Sequence, residues 1–84
     1  MSYSYEEQRP EVFTEAGQLV FLKVRDLMYH HCKLSGAVDW NSATKGVGGG
    51  SWLQSACIDR LIEIGEFELA YDPGVTQYRI YIKT

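Results

Sequence analysis

The sequence predicts an α+β fold in which two main amphipathic helices, with a short helical piece between them, are followed by a C-terminal β-hairpin. Apolar residues recur at helical spacing from Ala16 to Cys32 and again from Leu53 to Ile64. Beyond Gly65 the pattern switches to alternation. Phe67, Leu69 and Tyr71 precede the turn-forming stretch Asp72-Pro73-Gly74-Val75, and Tyr78, Ile80 and Ile82 follow it. The chain has 84 residues, too few to divide into two domains, so a single small core is expected.

Residues 1–13 read as an arm carrying Tyr3 and Tyr5, in which Pro10 argues against a continuous helix and the tyrosines suggest packing onto something. The domain proper is expected over residues 14–84. Its first helix starts at Thr14, a good N-cap with Glu15 in the positively polarised first turn, and stops at Ser35-Gly36. Ala16, Val20, Phe21, Val24, Leu27, Met28, His31 and Cys32 form its core-facing stripe, while Leu19, Leu22 and Tyr29 lie outside it and need other cover. Ala37 to Trp40 reads as a short extended piece, and Asn41 to Lys45 as one or two helical turns ended by Gly46-Val47-Gly48-Gly49-Gly50. The second main helix runs from Ser51, as N-cap, to Ile64, with Gly65 as its stop. A hairpin closed around Asp72–Val75 pairs Tyr71 with Thr76, Leu69 with Tyr78 and Phe67 with Ile80. That register places Glu68 opposite Arg79.

Composition narrows the function classes. Eleven Asp and Glu against eight Lys and Arg give a formal charge of −3. An aromatic fraction of 13% is too rich for a disordered acidic tail. The sequence has no apolar run of membrane-spanning length and no signal-peptide character at its start, so a cytoplasmic protein is expected. Cys32 and Cys57 fall on apolar helical positions and read as reduced, buried thiols. His30-His31-Cys32 does not make a metal site, because adjacent helical residues point about 100° apart and no second ligand pair stands at a metal-binding spacing. The triple glycine lacks the lysine and hydroxyl residue of a phosphate loop. No nucleophile–base pair is brought together by the expected fold, so neither catalysis nor a cofactor is expected.

The order of helix, short strand, short helix, turn, helix and hairpin resembles a winged helix-turn-helix domain. The likeness is sharpest in Cys57-Ile-Asp-Arg-Leu-Ile-Glu-Ile-Gly-Glu-Phe-Glu68, which looks like the end of a recognition helix running into the first wing strand. Trp40 matches the apolar residue that opens that family's second helix, and Gly46-Val47 resembles the turn before its third. The resemblance covers most of residues 14–83 and implies a small phage- or bacterial-type winged-helix regulator. The chain departs from it at the recognition helix, where Gly48-Gly-Gly-Ser-Trp-Leu-Gln-Ser-Ala56 replaces the polar and basic residues of a DNA reader. Between Asp39 and Glu66 two basic residues face four acidic ones. A duplex-binding surface must instead neutralise several phosphates.

Two functions follow as expectations. In the first, a protein partner is bound and occluded by Trp52 as anchor, with Ser55, Asp59, Arg60 and Glu63 around it on the solvent side of the helix, and with Gly49 and Gly50 allowing close backbone approach. Such an acidic module suits an adaptor, or a phage or mobile-element inhibitor of host nucleic-acid machinery. In the second, the protein is a dimeric regulator that binds double-stranded DNA through Lys45, Ser51, Gln54, Arg60, Arg79 and Lys83. Tyr3, Tyr5, Leu19, Leu22 and Tyr29 would then form the homodimer contact.

Overall fold

The structure, a computed structural model, describes residues 2–84 and is α+β. Four helices, α1 (Tyr5–Val12), α2 (Glu15–Ser35), α3 (Trp40–Thr44) and α4 (Ser51–Glu63), stand with three short strands, β1 (Val38–Asp39), β2 (Phe67–Tyr71) and β3 (Ile80–Lys83). The strands form one antiparallel sheet in the order β1-β3-β2. A short strand ahead of the second helix pair, paired with the last strand of a hairpin, is compatible with a winged-helix layout.

Local chemistry sets most boundaries. Thr14 caps α2, its Oγ1 accepting from the Gly17 N–H at 3.0 Å, and Gly36 ends the helix at a left-handed φ of 81°. Asp39 ends β1 and at the same time caps α3 through its carboxylate, which accepts from both the N–H and the hydroxyl of Ser42. The N-cap of α4 is Gly50 rather than the expected Ser51, and no side chain caps that end. The core lies between α2, α4 and the inner face of the sheet, where Val24, Met28, Ile58, Leu61, Phe67 and Tyr81 are buried.

Three further expectations are corrected. Pro10 does not prevent a helix, for residues 5–12 form α1 with the proline inside it. The missing N–H removes one helical bond, but Val12 at the end of α1 is fully buried, and packing outweighs the local penalty. In α2 the inward position of the first turn is Gly17 rather than Ala16, which is exposed. A Cβ at Gly17 would stand 1.9 Å from the Glu11 carbonyl oxygen and 2.8 Å from that of Val12, so only glycine lets α1 cross α2 this closely.

The third correction is the hairpin register. Leu69 pairs with Tyr81 and Phe67 with Lys83, a shift of an odd number of residues from the expected pairing, so the faces of the second strand exchange. Tyr81 is 2% exposed in the core, while Tyr78 is 65% exposed. Residues Thr76–Tyr78 coil into a 3-10 turn and lengthen the connection, and β3 is held from its other side by the Val38–Tyr81 pairing. A β-bulge between Leu69 and Tyr71 absorbs the mismatch. Arg79 therefore lies beside Asp72, at 3.3 Å, instead of facing Glu68.

Candidate interaction surface

The residues expected on one exposed face of α4 divide into two groups. At the C-terminal half, α1 lies along the helix. Glu63 accepts hydrogen bonds from the Tyr5 hydroxyl at 2.9 Å, from Arg9 Nε at 3.0 Å and from Arg60 Nη1 at 2.7 Å. The bond from Arg60, joined by those from Tyr5 and Arg9, pulls the Glu63 carboxyl down to about 2. One turn earlier Tyr3 donates its hydroxyl to Asp59 at 2.7 Å. Burial raises the Asp59 carboxyl, and the Tyr3 bond and the charge of Arg79 only partly offset that rise. Burial and the neighbouring carboxylates likewise raise both phenols, Tyr5 to about 12. The guanidinium groups of Arg9 and Arg60 sit over the Phe13 ring, 5.0 and 5.1 Å from its centroid.

Asp59, Arg60 and Glu63 are thus bonded within the chain, and Ala56, one turn before Arg60, is fully buried. The helix wheel assigned these residues outward because α2 and the sheet cover the opposite side. It contained no signal that the preceding arm would fold back as a helix.

The N-terminal half of α4 is open. The glycine loop before it passes against α2 so closely that a Cβ at Gly49 would meet Val20 at 2.8 Å, and Gln54 donates to the Gly48 carbonyl at 2.7 Å. Ser51 and Trp52 are exposed there, Trp52 at 37%. Trp52 forms part of a groove of about 410 Å³ between α4 and the hairpin loop, lined also by Tyr3, Trp40, Ser51, Ser55, Thr76, Gln77 and Arg79. The Trp40 indole donates to Ser55 Oγ at 3.2 Å and fixes one wall. Arg79 Nε, although 3.3 Å from Asp72 Oδ1, lacks the alignment of a hydrogen bond and is a buried donor without an acceptor among the described residues. Beyond Trp52 a shallower depression continues past Gly49, Gly50 and Leu53 to Gln8 and Glu11 of α1.

Of the residues expected to hold a partner, Trp52, Ser55, Gly49 and Gly50 therefore gather at the open end. Of those expected on DNA, Ser51 and Arg79 line the groove, Gln54 is tied to the glycine loop, Arg60 belongs to the α1 seam, and Lys45 is exposed just after α3. Lys83 lies on β3, its ammonium 5.6 Å from the Tyr29 ring centroid. These six positions do not form one basic face. Of the dimer candidates, Tyr3 and Tyr5 bond to α4, Leu19 and Leu22 are exposed on α2, and Tyr29 packs on Phe67 and donates to Glu66. Thr76 and Gln77 are not among the expected site residues, because the expected register puts them at the start of the second hairpin strand, whereas they begin the 3-10 turn beside the groove. The sequence reads Trp40 as the end of an extended piece and as a helix opener, not as a wall of the groove.

Among the described residues no group of three or more His, Cys, Asp or Glu is placed to hold a metal ion. Among them, no helix is long and apolar enough to cross a membrane. No protein-family model matches the chain, and comparison with curated proteins and with solved structures returns no match.

Proposed function

We propose that the protein is a non-catalytic interaction module that binds a protein partner through the open, N-terminal end of α4. The observation that carries this is the difference in engagement along that helix. The Asp59, Arg60 and Glu63 side chains are bonded to Tyr3, to α1 or to each other, whereas Trp52 stands exposed beside a groove walled by Trp40 and Tyr3. A half-exposed tryptophan in an aromatic groove has the composition of an interface hot spot. Phosphate neutralisation finds less support, since Arg9 and Arg60 pair with Glu63 and Arg79 lies against Asp72.

A DNA-binding regulator is the second reading, and the β1-β3-β2 order behind a short helix pair favours it. Fluorescence of Trp40 and Trp52 during titration with mixed-sequence duplex DNA, at low and at physiological salt, separates the two. No saturable change is expected at either salt. Binding that weakens steeply as salt rises would overturn the protein-partner reading.

A further inference from the structure

We infer that the groove beside Trp52 takes a proline-rich segment of the partner, flanked by a basic residue. This rests on the protein-partner reading and narrows it to a ligand chemistry. The walls are aromatic: Tyr3, Trp40 and Trp52 line the groove, and flat rings of this kind receive pyrrolidine rings without demanding hydrogen bonds from them. The polar part of the lining offers several donors. Ser55 Oγ already accepts from the Trp40 indole, which leaves its hydroxyl proton to give. Ser51 adds a second hydroxyl, and the Trp52 indole N–H has no acceptor among the described residues.

A polyproline II segment is the complement of such a lining. It makes no internal hydrogen bonds, its carbonyls are free to accept, and its prolines bring no N–H that the groove would have to satisfy. An ordinary extended strand would bring as many donors as acceptors. The segment also pre-exists in its bound shape, so little ordering entropy opposes docking on so small a surface.

The direction of the track sets the flank. Ser51 and Trp52 line both the groove and the depression beyond it, so a ligand crossing Trp52 leaves the groove toward Gln8 and Glu11. Glu11 is exposed and its carboxylate has no cationic partner among the described residues, so a lysine or arginine at that end of the ligand meets an opposite charge. At the other end Asp72 offsets the charge of Arg79, whose Nε has no hydrogen-bond acceptor among the described residues, so that end offers a donor rather than a free positive charge.

The test is fluorescence anisotropy of a labelled synthetic peptide holding two Pro-x-x-Pro repeats and one flanking arginine, titrated with the intact protein. Saturable binding is expected, weakened roughly tenfold or more by Trp52→Ala and by replacing the peptide's prolines with alanine. Glu11→Gln, at an exposed position that should not disturb folding, is expected to weaken binding by a few-fold and only when the peptide carries its arginine. Equal binding of the alanine peptide, or no saturation with a protein shown folded by circular dichroism, would overturn the inference. If an acidic or purely apolar control peptide binds in its place, the proline class fails while the protein-partner reading stands. Salt-sensitive duplex binding removes both, and self-association abolished by Trp52→Ala would assign the groove to a second copy of the chain.

Discussion

At its C-terminal half α4 carries three charged side chains, and each is used inside the molecule. At its N-terminal half the same helix carries an exposed tryptophan and two serines beside a groove. The comparison teaches that charge on the outward arc of a helix is not by itself a ligand signal. A chain that supplies its own complementary groups, here the hydroxyls of Tyr3 and Tyr5 and the guanidinium of Arg9, turns that arc into an internal seam. The exposed end is then marked by aromatic surface rather than by charge.

Breaking the sealed half should cost most. Gly17→Ala drives a methyl group into the α1 backbone, with nearest atoms at 1.9 and 2.8 Å, so α1 must move or strain. A loss of about 3 kcal/mol is expected in urea unfolding. Val12→Ala removes a fully buried side chain from the end of α1 and should cost about 2 kcal/mol by the same measurement.

Alkali attacks the same half. Burial first, and the Glu63 contact next, raise the Tyr5 phenol to about 12, and burial raises Tyr81 likewise. A folded-state value above the unfolded one means stability that is complete below pH 10 and is lost as pH climbs from 10 toward 12. Chemical denaturation repeated across that range checks the sign, and Tyr5→Phe should flatten part of the decline. In acid the sign reverses. The lowered Glu63 carboxyl contributes above its ordinary value near 4.5, and its contribution disappears as pH falls toward 2.

Glu63→Gln should weaken the seam less than Val12→Ala. The Arg9–Glu63 and Arg60–Glu63 pairs are partly exposed, and their effect should shrink further as salt is added. In the open half Trp52→Ala should cost about 1–2 kcal/mol, because part of the ring is covered, while weakening partner binding tenfold or more; Glu63→Gln should leave that binding unchanged, which sharpens the contrast between the two ends.

Elements governed by local chemistry were legible in the sequence. Thr14 and Gly36 act on residues within a turn of themselves, and the expected bounds of α2 follow from them, whereas α3 starts at Trp40, one residue before the expected Asn41, because the Asp39 carboxylate caps it. What could not be read depends on distant contacts. Pro10 signals a break, and only the burial of Val12 and the bonds from Tyr5 and Arg9 to Glu63 make a helix there. Alternation fixed two strands but not their register, because Tyr78 and Tyr81 are equally plausible inward residues until β1 pairs with β3. Trp52 and Ser55 could be picked out as surface residues, yet the groove was invisible. Its other walls come from Tyr3, Trp40 and the Thr76–Gln77 turn, which are far apart in the chain.

Amide hydrogen exchange over α1 and α4 tests most directly whether the charged half of α4 is sealed in the folded protein. If α1 is part of the core, the amides of Gln8, Arg9, Glu11 and Val12 exchange as slowly as those of α4, through global unfolding. Rapid exchange in α1 alone, with α4 still protected, would mean that the helix lifts in the native state and frees Asp59, Arg60 and Glu63. That result would contradict the division of α4 into a sealed and an open half.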